Sequence, residues 1–356
     1  MTGAGPVLVT GAFGLVGTAT IEQLASEGRR VVATDLKTPA YVKAAKKLPA
    51  GVEVKWADLT VQSQLDELLG ASSPSAIIHL VGMIAPAIYR NPALGRKVNV
   101  DITRALVSAA QALPKPPRIV HASSVAVYGP RNPFRHPEKV DENTVTAPNE
   151  VYGSTKLEAE QVIRTSTLDW VILRLGGVVS TRLVSMVSGW DVLLFESALP
   201  KNGRIHTVDV RDVAKAFAAA TTADAVGRIL LIGGDGTHML RYTDATHDLT
   251  AAAGIGNVLP EGRPGDPDSE TAWFATDWMD TGPAQELLQF QNHSWGDILA
   301  EVRRKVGPAR HVLRVVAPLV RNVLERRSAY RDAPGVYADP WEIVREHLGD
   351  PAAPKS

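Results

Sequence analysis

Three apolar residues, Val7, Leu8 and Val9, run directly into glycines at 11, 14 and 17. Such a run suits a strand buried on both faces. Residues 18–27 follow with helix-forming sequence apart from their threonines, and Gly28 stands where a helix C-terminus wants a residue tolerant of positive φ. The order is strand, glycine-rich turn, helix. A tight turn asks for no Cβ at Gly11, a backbone approaching a diphosphate closely asks the same at Gly14, and a helix packed hard on its strand asks it at Gly17. The N–H groups at the helix start then offer a site to an anion. Residues 30–34 predict a second strand that delivers Asp35, 18 residues after Gly17, close to the spacing of about 20 usual for a carboxylate that accepts from ribose hydroxyls.

The glycines are spaced G-x-x-G-x-x-G, and with Thr10 ahead of them the element Thr-Gly-Ala-Phe-Gly-Leu-Val-Gly resembles the short-chain dehydrogenase/reductase superfamily. The similarity is to its extended branch, the NAD-dependent epimerase/dehydratase family. That resemblance implies an α/β fold, a Rossmann-type doubly wound parallel sheet of about seven strands with a smaller irregular C-terminal substrate lobe. It also implies NAD as cofactor, held by Gly11, Phe13, Gly14, Leu15, Val16 and Gly17. Asp35 repels a 2′-phosphate, which favours NAD over NADP, while Lys37 and Arg29 nearby in sequence temper the preference.

Further along, residues 52–56 alternate as a strand and lead to Asp58-Leu59. In the family an acid and an apolar residue here lie against adenine; Asp58 is equally suited to N-cap the helix containing Leu65, Leu68 and Leu69. A fourth strand over 75–81 ends in His79-Leu80-Val81-Gly82. The resemblance runs this backbone past the nicotinamide-side ribose, whereas His79 reads better as a hydrogen-bonded core residue than as an acid or base. Asn99, before the helix over 101–112, is implied as a residue supporting the sheet and the catalytic lysine.

Residues 118–124 predict the fifth strand, which exits into Ser123-Ser124-Val-Ala-Val-Tyr-Gly129 and then a long loop over 130–150. Tyr152-Gly-Ser-Thr-Lys156 opens a helix, and residues four apart share a face. A free phenol titrates near 10, too high for a base at neutral pH; a neighbouring ammonium and an oxidised nicotinamide both favour the phenolate. A strand-end serine 28 residues before the tyrosine completes the pattern of the family. The resemblance implies that Ser124 holds the substrate oxygen, that Tyr152 moves the proton, and that Lys156 grips the nicotinamide ribose and lowers the tyrosine pKa. Arg174, at the end of the sixth strand, reads as a structural ion pair. Leu175 stands where the family usually has Pro.

The expected organisation is an NAD-binding domain over 1–180 completed by 205–236, a substrate-binding lobe from 181–204 and 237–306, and a helical tail over 307–356. In that tail Val312, Val315, Val316, Leu319, Val320, Val323 and Leu324 fall at helical spacing, and residues 301–327 hold eight Lys/Arg against two Glu. A segment clasping its own body or a dimer mate is the expectation, with an anionic membrane surface as the alternative. Pro318 inside the run counts against a membrane-crossing helix.

Composition narrows the rest. Lys+Arg and Asp+Glu both number 38, which points away from a nucleic-acid partner, and the absence of cysteine removes thiolate catalysis and cysteine metal sites. No metal site, charged leader or membrane-length apolar run is read, so a cytoplasmic, homodimeric enzyme acting on a small molecule is expected. The leading function is hydride transfer between NAD and a secondary alcohol or ketone through Ser124, Tyr152 and Lys156. A nucleotide-sugar 4-epimerase is the alternative, with Arg182, Arg204 and Arg263 as candidates to meet a diphosphate, and a non-catalytic NAD sensor is the third reading.

Overall fold

The computed structural model describes residues 5–181, 189–256, 258–260, 262–326, 328–331 and 334–352. Its strands, in chain order, are β1 Val7–Thr10, β2 Val31–Asp35, β3 Glu53–Trp56, β4 Ala76–His79, β5 Arg118–Ser124, β6 Trp170–Leu175, β7 Gly177–Val179, β8 Arg204–Asp209, β9 Arg228–Ile232 and β10 Met239–Arg241. Seven of them make one sheet ordered β3-β2-β1-β4-β5-β6-β9, all parallel. This is the Rossmann-type doubly wound sheet expected from the sequence. A second, three-stranded sheet is ordered β10-β8-β7.

Alternation along β1 builds both layers. Val7 and Val9 enter a core with Ile21, Leu24, Val213, Phe217 and Leu288, whereas Leu8 points into the opposite core with Leu65, Leu69, Leu106 and Ile163. Helices Leu15–Ser26, Val210–Ala220 and Gly282–Leu288 therefore cover one face, and Gln62–Ser72, Ile102–Gln111 and Val151–Arg164 the other. Each such apolar side chain contributes about 1.5–3 kcal/mol when fully buried. Strand order reverses between β1 and β4, which opens a crevice beyond their C-terminal ends.

Several local expectations shift. Strand β4 stops at His79 rather than 81, and the Leu80-Val81 backbone then passes so close to Gly11 that a Cβ there would lie 3.0 Å from the Leu80 carbonyl carbon and the Val81 nitrogen. Asp58 does not cap the helix Gln62–Ser72, whose N-cap is Val61; it accepts instead from Thr60 N at 2.9 Å and Thr60 Oγ1 at 2.7 Å. The sequence also offers Asp209 and Asp212 as caps for the helix that ends at Ala220; Asp209 caps Val210–Ala220, whereas Asp212 sits within that helix and accepts from Asn292 N and His293 N at 3.0 and 3.1 Å. The tail forms a helix, Ala309–Glu325, with Pro318 inside it. Among the described side chains of this helix Ala317 is the buried one, while Val312, Val315, Leu319 and Val323 are 48–78% exposed, so these four do not clasp the body of the chain. Among the described residues no helix is long and apolar enough to cross a membrane.

Candidate active site

The glycine-rich turn between β1 and the first helix has the geometry its residue types demand. Gly11 adopts φ +66°. A Cβ on Gly17 would fall 2.2 Å from the Gly11 carbonyl oxygen, so only glycine lets this helix lie on the turn. Gly14 differs: its Cβ would meet nothing nearer than that same oxygen at 3.4 Å, and it faces open space. The helix start, with Leu15 and Val16 as its first residues, has no side-chain cap and no acidic residue in its first turn. Bare N–H groups, positive helix end and unobstructed glycine together suit a diphosphate.

One wall of the crevice belongs to Asp35, at the end of β2. Its carboxylate accepts from Phe13 N at 3.1 Å and Leu36 N at 2.9 Å. Burial outweighs those two donors and raises its pKa. Two residues the sequence reading missed stand here. Phe13 stacks between Tyr41 and Trp56, at centroid distances of 5.5 and 5.3 Å, and Trp56 is the register partner of Asp35. The available signal was Trp56 closing an alternating strand beside the one that ends in Asp35. Leu59 is buried, and Asp58 lies two residues beyond the end of β3 at Trp56.

The other wall runs from Leu80 to Gly82 and on to the helix Val151–Arg164. A Cβ on Gly82 would lie 3.1 Å from Lys156 Nζ and 3.5 Å from Asn99 Oδ1, so the glycine keeps this corner open. Asn99, on a π-helical turn Lys97–Asp101, accepts from Met83 N at 2.7 Å and donates to Met83 O and Thr155 Oγ1, both at 3.0 Å. It joins the segment after β4 to the helix Val151–Arg164 rather than bonding Lys156 itself. His79 is fully buried between Thr10 Oγ1 (2.8 Å) and Thr103 Oγ1 (3.0 Å), and burial pushes its pKa down to about 3; it is a neutral core histidine.

Tyr152 stands in the first turn of Val151–Arg164 and Lys156 one turn later, its Nζ 6.0 Å from the tyrosine ring centroid. Lys156 is buried and donates to Ala122 O at 2.9 Å; desolvation draws its pKa down to about 8, against the pull of Glu160. Burial drives the Tyr152 phenol the opposite way, up to about 12, with the Glu150 carboxylate adding to the rise and the Ser124 hydroxyl opposing it. The polypeptide alone therefore holds a neutral phenol, and the expected lowering by Lys156 is absent from these forces. Beneath the site Glu160 accepts from Arg174 Nε at 2.9 Å and Arg174 Nη2 at 2.7 Å and from Ser123 Oγ at 2.5 Å. Arg174 is the structural ion pair expected of it.

Sequence reasoning also missed Glu150, the N-cap of this helix. It is 1% exposed and accepts from Tyr152 N at 2.7 Å and from Gly153 N. Burial lifts its pKa to about 7. The available signal was an acid at N-cap distance before Tyr152. Among the described residues no cluster of His, Asp and Glu has the makings of a metal site.

Comparison with known proteins adds three findings. The NAD dependent epimerase/dehydratase family matches residues 7–233. D-erythronate dehydrogenase of Cupriavidus necator is 28% identical over 184 residues, 48% of this chain and 54% of that one. UDP-glucose 4-epimerase of Rhizobium meliloti is 33% identical over 168 residues, 44% and 46% of the two chains. The chain thus spans about half the length of the curated relatives it matches. In three dimensions it is similar to L-threonine 3-dehydrogenase from Trypanosoma brucei, with a TM-score of 0.69 at 19% identity over 87% of this chain and 99% of that one.

Proposed function

We propose that the chain, which belongs to the NAD dependent epimerase/dehydratase family, oxidises a secondary alcohol of a small molecule or reduces the matching ketone. The observation that carries this reading is the joint placement of the Ser124 hydroxyl, the Tyr152 phenol and the Lys156 ammonium at the mouth of the crevice that the glycine turn and Asp35 line. NAD fits that crevice, and when bound it supplies the hydride acceptor and a positive charge. Asp35 would hold its adenosine ribose, the uncapped helix start its diphosphate, and Lys156 the second ribose. Phe13, with Tyr41 and Trp56 behind it, forms the adenine-side wall.

Ser124 orients the substrate oxygen while Tyr152 takes its proton in oxidation and returns it in reduction. Phenol and ammonium share a helix face, so moving Tyr152 toward phenolate needs cationic charge on its open side as well as Lys156. The experiment is a titration with NAD and NADP, followed by absorbance of reduced nicotinamide against panels of secondary alcohols and of UDP- and GDP-sugars. Steady NADH production from an alcohol is the expected result. Sugar isomerisation without net NADH makes the chain an epimerase, the reading favoured by its likeness to the Rhizobium protein. NAD binding with neither reaction leaves a sensor.

Against the epimerase stands the state of the arginines offered to a diphosphate. Arg204 donates to His136 O at 2.9 Å, lies 3.4 Å from Asp277 and covers the Trp278 ring; Arg263 donates to Pro334 O and Tyr330 O. Arg182 lies outside the described residues. The homodimeric state remains part of the proposal. Replacing Asp35 gives a graded check of the cofactor: Asp35→Asn is expected to weaken NAD about tenfold, the loss of one charged hydrogen bond, and to narrow the margin over NADP. Calorimetric titration of both dinucleotides measures it.

A further inference from the structure

Chain beyond the family's span returns to the catalytic helix. Tyr330 Oη donates to Ala198 O at 2.5 Å, at the end of the helix Gly189–Ala198, and accepts from Asp339 N at 3.0 Å. Asp339 caps the helix Pro340–His347, accepting from Glu342 N at 2.9 Å. From that helix Trp341 and Val344, with Leu348 after it, bury against Tyr89, Val151 and Phe195, and Tyr152 packs at the edge of the same cluster. Gly349 follows at φ +125°, so close that a Cβ would lie 2.1 Å from the Tyr89 carbonyl oxygen. Two residues later the Pro351 carbonyl accepts from Val151 N at 2.8 Å.

That last bond completes an account. A helix leaves its first four N–H groups without intrahelical partners. Here Tyr152 and Gly153 donate to the Glu150 carboxylate and Val151 donates to the tail, while Ser154 makes the first intrahelical bond, to the Glu150 carbonyl at 3.0 Å. The residue on either side of the Val151–Tyr152 peptide is thereby fixed, one by a local cap and one by a segment 200 residues away.

We propose that residues 341–351 are a positioning strap for the reaction, in which the Gly349 backbone seated on Tyr89 and the Pro351 carbonyl on Val151 hold the first turn of the catalytic helix and so aim the Tyr152 phenol at Ser124. The inference rests on the reading of Tyr152 as the proton carrier. Among the described residues no hydrogen bond joins the strap to the glycine turn or to Asp35, so its loss is expected to act on the chemistry rather than on dinucleotide binding.

In the full-length protein, Gly349→Val removes the seat through both the steric clash and the backbone angle, and Gly349→Ala is the milder form should valine prevent folding. Expected are faster hydrogen exchange at the Val151 amide and a kcat lowered about tenfold or more, with KM and NAD affinity near wild type. Val336→Ser, in the tail before the strap and 72% exposed, should change none of these. Faster Val151 exchange with unchanged kcat overturns the proposal, as does unchanged exchange, which means the tail is not seated there. A parallel fall of kcat, NAD affinity and melting temperature also overturns it, since the segment then only supports the fold. Tyr152→Phe in the same assay separates the two readings: full activity there removes the proton-carrier role, whereas an inactive Tyr152→Phe beside an unaffected Gly349→Val removes the strap alone.

Discussion

Tyr152→Phe is expected to lower kcat by about a thousandfold, the middle of the range for a positioned proton-transfer group, while NAD affinity and melting temperature stay near wild type. The ring is unchanged and keeps its packing at the edge of the cluster with Tyr89 and Val151. Only the hydroxyl facing Ser124 is lost. Since burial holds this phenol at about 12, it begins protonated at neutral pH, which suits the donor needed for ketone reduction. Oxidation needs the phenolate, so alcohol oxidation should climb as pH rises and ketone reduction should fall. Glu150 bears on the same balance: with a pKa near 7 its carboxylate forms as pH rises through neutrality and pushes the Tyr152 pKa further up. Glu150→Gln should then move the oxidation profile to lower pH, a shift read from kcat/KM against pH in a common buffer series. Unimpaired turnover in Tyr152→Phe would mean that another group carries the proton.

What the sequence disclosed here was chemistry written within one turn or one strand end. Gly11, Gly14 and Gly17 each have a separate reason in the sequence, and Gly11 and Gly17 meet the close contacts those reasons require while Gly14 faces the opening. Tyr152 and Lys156 were legible for the same cause, a fixed helical offset. Contacts between distant segments were not. Nothing local in Tyr41 indicates that it stacks on Phe13, and nothing in Pro351 points to Val151. Helical spacing in the tail announced a helix but not which side would be covered: Ala317 lies on the buried side while the wider Val312, Val315, Leu319 stripe is left outward. Acidic residues were the least legible. Asp58 and Asp212 both sit where a cap is plausible, and the backbone N–H groups actually within reach decided otherwise.

Lys156→Met is expected to inactivate the protein and to stabilise it. Turnover should fall at least about a hundredfold, because the ammonium, 6.0 Å from the Tyr152 ring centroid, is the cation on the proton carrier's own helix face. Stability moves the other way because a lysine with a folded pKa of about 8, against 10.5 unperturbed, is held charged at a cost. Above pH 10.5 the amine is neutral in both folded and unfolded chains and no cost arises; it accumulates as pH falls toward 8 and is complete below it. At 1.36 kcal/mol per unit that amounts to about 3 kcal/mol. Methionine fills a similar volume without charge, but leaves the Ala122 carbonyl without its 2.9 Å donor, which costs about 1–3 kcal/mol. The difference is a gain of about 1 kcal/mol, or roughly 2 °C in melting temperature for a chain of this size. Thermal unfolding at pH 7 should show the gain, and repeating it toward pH 10.5 should show it shrink and reverse as the wild-type penalty disappears while the unpaired carbonyl stays. A Met variant that melts below wild type at pH 7 would place the balance with the Ala122 bond and Glu160, and make the buried ammonium a net support of the fold as well as a tool of the reaction.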